Sequence, residues 1–391
     1  MQAINKEIKR FSLNISKEEL INLEYRLKNT RLPDQDREKK WNTGVDLVWF
    51  RSLLNYWISE FDWKKSESDL NSFSQFKTTI NGDDIHFIHQ LGKEKKSIPL
   101  LLMHGWPGSI FEFLDIIPIL TDPKKHGVES DYSFSVVAPS LPGFTLSFKP
   151  NQKRYGVEEI SRCFYELMTQ KLNYDKFFLQ GGDWGAFIGS RMAYEYKNNV
   201  LGLHLNMLAL RRDFVDSDLV TKEESSYLSE IKKWRKEETG YLTIQGSRPQ
   251  TLAFALTDSP AGLAAWISEK FYAWTDCDGL PENAISLDKI LSNICLYWFT
   301  RAIGSSFWPY YARNHRPWPV PEGKKISVPV GYSEFPKEIL KPPKSLAKNM
   351  YANLKYWNVM NKGGHFAAME KPKDLAKEIF SFVSKITTQD V

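Results

Sequence analysis

Cysteine is nearly missing from this 391-residue chain, and the three present, Cys163, Cys277 and Cys295, lie far apart. That scarcity excludes a disulfide framework and a cysteine-based zinc site, and it fits a reducing, cytoplasmic location. No run of 18 apolar residues occurs, so no membrane span or anchor is expected. The first residues, MQAINKEIKRFSLNISKEEL, also lack the apolar stretch of a signal peptide. An excess of one charge is lacking too: 52 Lys and Arg against 47 Asp and Glu leave +5, spread along the chain. Without a basic block, nucleic acid is not an expected partner. No repeat, phosphate loop or dinucleotide fingerprint appears in a convincing context. His86 and His89 are three apart on an expected strand, hence on opposite faces and poor co-ligands for a metal. No metal and no cofactor are therefore expected.

Aromatic residues, by contrast, are plentiful at 14%, with 13 Trp and 17 Tyr. They suit either a large core or the lining of a cavity.

Periodicity divides the chain. Residues 1–95 open with helical segments, the first capped by Ser16 and ending at Pro33, and then form a hairpin about Asn81-Gly82. Over 96–211, the apolar runs IPLLLMHG, YSFSVVAPSL, KFFLQGG and VLGLHLNMLAL alternate with helical segments such as SIFEFLDIIPIL. This pattern predicts an α/β fold with a mostly parallel sheet. Residues 212–322 read as a helical, aromatic-rich insertion, after which strand-like runs and a final helix return over 323–391.

The chemistry concentrates where strands end. GGDWG places Asp183 at a strand-to-helix turn in a small-x-nucleophile-x-small pattern. An Asp there also serves as a plain helix cap. HGWPGS follows the expected third strand, and the peptide N–H groups of Trp106 and Trp184 are placed to form an oxyanion hole. His365 lies in a Gly-flanked loop beyond the last strand. The order nucleophile, acid, histidine is that of the α/β-hydrolases, and it puts the acid at Glu334 or Glu338, between which spacing does not choose. An Asp nucleophile suits displacement at saturated carbon, giving an alkyl-enzyme ester that water then cleaves. Epoxides and haloalkanes are the substrates for that route, so a haloalkane dehalogenase is the alternative. The base must be neutral to activate water, so turnover is expected to fall on the acid side of the His365 pKa.

The chain resembles the microsomal-type epoxide hydrolases, the branch that includes the juvenile hormone epoxide hydrolases. The resemblance rests on RLP, HGWPGS, GGDWG, DSPAGLAAW, SLDKILSNICLYWFT and GGHFAAMEKP, spread over nearly the whole sequence. It implies an α/β-hydrolase fold with a helical cap inserted before the last two strands and an N-terminal segment that wraps the core and braces the cap. It implies Asp183 as nucleophile, His365 as base and Glu338 as acid. Tyr241 and Tyr310, with Tyr311 adjacent to the second, are the implied donors to the epoxide oxygen. It also implies a cis bond before Pro107. Trp308 stands where the family usually has a basic residue. The reactants implied are a small-molecule epoxide and water, with a homodimer as the assembly to consider.

Overall fold

Near-continuous apolar runs build the centre of the molecule. The computed structural model describes residues 7–36, 40–210 and 221–387. Strands β1 (Ile8–Arg10), β2 (Gln75–Ile80), β3 (Asp83–Gln90), β4 (Lys96–Met103), β5 (Tyr132–Pro139), β6 (Phe177–Gly181), β7 (Val200–Leu205), β8 (Val330–Glu334) and β9 (Leu354–Val359) form one sheet. Their order is β1-β2-β3-β5-β4-β6-β7-β8-β9. Pairing is antiparallel from β1 to β5 and parallel from β5 onward. Every residue of β5 and β6 is buried, because helices cover both faces of the parallel region.

The hairpin turns at Asn81-Gly82, both with positive φ, as the Asn-Gly pair requires. Strand β1 pairs Ile8 with Thr78 on the sheet edge. With three residues it carries no readable alternation, so the HGWPGS loop follows the fourth strand rather than the third.

Helix α1 (Lys17–Lys28) is capped by Ser16, which accepts the Glu19 N–H, and it ends at Asn29, short of Pro33. Helix α2 (Leu47–Ser59) buries Trp49, Phe50, Leu53, Leu54 and Trp57, and α3 (Trp63–Asn71) follows. From α2, Trp49 Nε1 donates to Glu282 at 2.9 Å and Tyr56 Oη to Asp288 at 2.7 Å. The N-terminal segment therefore holds the cap by side-chain hydrogen bonds.

The SIFEFLDIIPIL segment is not one helix. It forms a 3₁₀ turn at Ile110–Phe113 and a short α4 (Ile116–Thr121). Pro118 has no N–H, and its ring would meet the carbonyl of Leu114, so the helix cannot run through. Helices α5 (Val157–Glu166) and α6 (Asp183–Glu195) pack together on the sheet. The cap comprises α7 (Lys222–Glu237), α8 (Gly240–Ser247), α9 (Pro249–Asp258), α10 (Pro260–Trp274), α11 (Leu287–Thr300), α12 (Ile303–Ser306) and α13 (Trp308–His315). The predicted start of this insertion, residue 212, lies outside the described residues. After β8 come α14 (Lys344–Met350), β9, α15 (Ala367–Glu370) and α16 (Pro372–Thr387). Among the described residues, no helix is long and apolar enough to cross a membrane.

Candidate active site

Asp183 is the first residue of α6, directly after β6, and its φ of +45° marks a tight turn. Only small neighbours permit this. A Cβ on Gly185 would stand 2.0 Å from the Met103 carbonyl oxygen, and one on Gly105 would stand 2.1 Å from Asp183 Oδ1. The close approach brings the loop after β4 against Asp183. Trp106 N–H donates to Asp183 Oδ1 at 2.7 Å, and the Trp106-Pro107 bond is cis. The Trp184 N–H lies in the first turn of α6, where no intrahelical acceptor exists.

His104 aims that loop. Its Nε2 accepts the Leu141 N–H at 3.1 Å, so its proton sits on Nδ1, which donates to the Gly105 carbonyl at 3.0 Å. Burial lowers its pKa to about 4, which keeps this neutral tautomer. The carbonyl of Gly105 and the N–H of Trp106 belong to one peptide plane. Fixing the carbonyl on one side points the N–H at Asp183 on the other.

His365 follows β9 with Nε2 3.5 Å from Asp183 Oδ2 and Nδ1 2.7 Å from Glu338 Oε1. Glu338 Oε1 also accepts the Ile339 N–H at 2.8 Å. Glu334 remains at the end of β8, so of the two candidate carboxylates it is Glu338 that meets the imidazole. The side chains of His365 and Glu338 are 2% and 0% exposed, against 17% for Asp183, the most open of the three. Burial opposes an imidazolium here, but the carboxylates of Glu338 and Asp183 outweigh it and push His365 up to about 10. The sequence leads one to expect a neutral base. The resting site instead favours a protonated one, because two carboxylates flank the ring.

Tyr241 heads α8 and Tyr310 lies on α13, both buried. Their rings meet at 5.8 Å, and each packs on the Trp106 indole, Tyr241 stacked at 5.6 Å and Tyr310 edge-on at 5.8 Å. Tyr310 Oη is buried with no hydrogen bond of good geometry, the Trp184 indole being its polar neighbour. Tyr311 turns away and stacks between Trp308 and His315.

Two cavities meet at Asp183. The larger, about 570 Å³, carries Trp184, Tyr241, Tyr310 and Trp318. The smaller, about 10 Å³, carries Glu112, Gln180, Asn206 and His365, and one water-sized sphere fills it. Asp183 is the one lining residue common to both. Sequence reasoning missed Glu112, since a Glu in a 3₁₀ turn carries no signal. Burial raises its pKa to about 8, further raised by Asp183 and opposed by His365. It keeps some accessible surface despite that desolvation, as a side chain bordering an internal cavity does.

Residues 8–113 match the family model described as epoxide hydrolase N terminus, and residues 98–269 match that of the alpha/beta hydrolase fold. Epoxide hydrolase 1 of Oryctolagus cuniculus is 38% identical over 98% of this chain and 90% of its own length. Juvenile hormone epoxide hydrolase of Manduca sexta is 34% identical over 96% of this chain and 86% of its own. The crystal structure of juvenile hormone epoxide hydrolase from the silkworm Bombyx mori superposes with a TM-score of 0.88 at 32% identity, covering 98% and 96% of the two chains. The Aspergillus niger epoxide hydrolase structure gives 0.84 at 29% identity, covering 97% of each.

Proposed function

The chain belongs to the epoxide hydrolase family, and from that premise we propose that Asp183, His365, Glu338, Tyr241 and Tyr310 convert an epoxide to a vicinal diol in two steps. What carries the assignment is the position of Asp183 between two cavities, with His365 Nε2 at 3.5 Å on one side and the tyrosine pair on the other. Family membership favours this reading over the haloalkane route, which would use the same nucleophile.

In the first step the Asp183 carboxylate attacks a ring carbon, and the ring C–O bond breaks. The negative charge forming on the epoxide oxygen is taken up by phenol donors. Asp183 Oδ1, held by the Trp106 N–H, becomes the carbonyl oxygen of the ester. In the second step His365 takes a proton from water, whose oxygen adds to Asp183 Cγ. The oxyanion forms on Oδ1 beneath the Trp106 and Trp184 N–H groups, a type of contact worth about 10²–10³ in rate. Collapse releases the diol and restores the carboxylate.

The raised pKa of His365 fits this order of events. Esterification neutralises Asp183 and removes its hydrogen bond and charge from the imidazolium, leaving Glu338 as the remaining support. The ring then releases its proton, which offsets the alkoxide produced in the first step, and becomes the base that the second step requires.

Intact-protein mass of His365→Gln, incubated with an aryl epoxide, a lipid epoxide and a haloalkane in turn, tests the reading. A gain equal to the whole epoxide, absent in His365→Gln/Asp183→Ala, is the expected result. A gain of the alkyl group without halide would instead identify a dehalogenase, and no adduct from any epoxide would refute the assignment.

A further inference from the structure

Helix α10 turns an apolar stripe toward the site: Leu263, Ile267 and Trp274 recur at helical spacing. Position 270 belongs to that same stripe and holds a lysine. Lys270 is 5% exposed, so its ammonium does not reach water in the way that long basic side chains usually do. Its Nζ lies 4.4 Å from the centroid of the Tyr241 ring and 5.3 Å from that of Trp274. Its charged neighbours are Glu269, at 2.5 Å and partly exposed, and Glu238 at the end of α7. A buried ammonium needs such partners to be tolerated. Neither carboxylate requires that it lie over a tyrosine ring, which this one does.

Tyr310 has the opposite surroundings. Burial and the charge of Asp183 hold its phenol well above the ordinary range, and among the described residues no cation lies over its ring. The two phenols at the site are therefore electrostatically unequal.

We propose that Lys270 is a positioning residue for ring opening, acting through Tyr241 and making it the phenol of the pair that gives its proton to the epoxide oxygen. Tyr310 then donates a hydrogen bond without losing its proton. The proposal rests on the assignment of both tyrosines to the epoxide oxygen. As the Asp183–carbon bond forms and the ring C–O bond breaks, the Tyr241 proton passes to the alkoxide, leaving a phenolate whose negative charge faces the Lys270 ammonium. The proton that His365 releases on esterification restores the phenol, and the proton taken from water in the second step returns His365 to its resting state. Epoxide and water are consumed, and diol alone is formed.

The experiment is rapid-quench measurement of alkylation and ester hydrolysis with styrene oxide. Lys270→Met and Lys270→Arg are made in the wild-type, Tyr241→Phe and Tyr310→Phe backgrounds, with Lys270→Gln in reserve should the Met variant not fold. Lys270→Met should slow alkylation about tenfold, in keeping with a desolvated cation–π contact, and leave ester hydrolysis unchanged. Lys270→Arg should restore most of the rate. The Met substitution should have no further effect beside Tyr241→Phe and its full effect beside Tyr310→Phe. An equal loss in the Tyr241→Phe background, or an equal slowing of both steps, would overturn the proposal. Normal alkylation by Lys270→Met alongside slow alkylation by Tyr241→Phe would remove Lys270 and leave the tyrosine assignment standing. Normal alkylation by Tyr241→Phe would remove both.

Discussion

The Trp106 N–H reaches Asp183 Oδ1 at 2.7 Å, joining residues 77 apart in the chain. The contact commits one carboxylate oxygen to the backbone and leaves the other facing His365. The peptide that makes it is aimed by His104, whose Nδ1 holds the Gly105 carbonyl.

His104→Ala should therefore slow ester hydrolysis by up to about 10²-fold, the order of one oxyanion donor displaced. Alkylation should change less, since Oδ1 gains no charge in that step. Single-turnover rates check this, and equal slowing of both steps would argue for a general loss of structure.

Glu338→Gln removes the charge beside His365 Nδ1 but keeps a side chain of the same shape. Hydrolysis of the alkyl-enzyme should fall by about 10³–10⁴, as when a triad carboxylate is neutralised. The ester should accumulate in the steady state and be visible by intact mass. Turnover at the wild-type rate would exclude Glu338 as the acid.

Tyr310→Phe combines two effects of different sign. Alkylation should slow by at least about tenfold, because a donor to the developing alkoxide is lost. Stability should hold or rise, because the deleted hydroxyl is a buried group without a good hydrogen bond, whose burial disfavours folding by about 1–3 kcal/mol. A thermal melt beside the kinetics tests both. A large drop in Tm would show that the hydroxyl is satisfied.

The two steps should differ in pH dependence. Ring opening makes no use of a neutral His365 and should be flat through neutral pH. Ester hydrolysis requires neutral His365, so it should rise with pH, tenfold per unit below the pKa of the alkyl-enzyme. That pKa should lie below the resting value of about 10, because Asp183 no longer carries charge. An identical acid limb in both steps, measured by single turnover, would contradict this order of events.

Burial raises the folded-state pKa of Glu112 from the ordinary 4.5 to about 8. With a raised pKa, the folded protein binds this proton more tightly than the unfolded chain. The contribution is fully present below 4.5 and is lost as pH rises through 8. Glu112→Gln mimics the protonated acid and does not titrate. It should change Tm little at pH 4 and raise it, relative to wild type, at pH 9. A pH-independent difference would place the group's pKa near its ordinary value.

Much of this was legible in the residues. Apolar runs of strand length marked β4 to β7, because a strand covered on both faces must be apolar throughout. GGDWG announced a tight turn, because glycines on either side of Asp183 imply close backbone approach. The order of Asp183 and His365 in the chain followed the order of the strands that carry them.

Choices between near neighbours, which spacing left open and only the resemblance implied, have their physical reason in the tertiary structure. Glu338 rather than Glu334 meets His365 because the chain leaves β8 and bonds back, Lys337 N–H to the Gly363 carbonyl. Tyr310 rather than Tyr311 lines the cavity because adjacent helical residues point about 100° apart. The proton on His365, the neutral acid at Glu112 and the cation over Tyr241 were beyond the sequence for one physical reason. A pKa depends on burial and on charges within a few ångströms, and here those charges come from segments tens to hundreds of residues away.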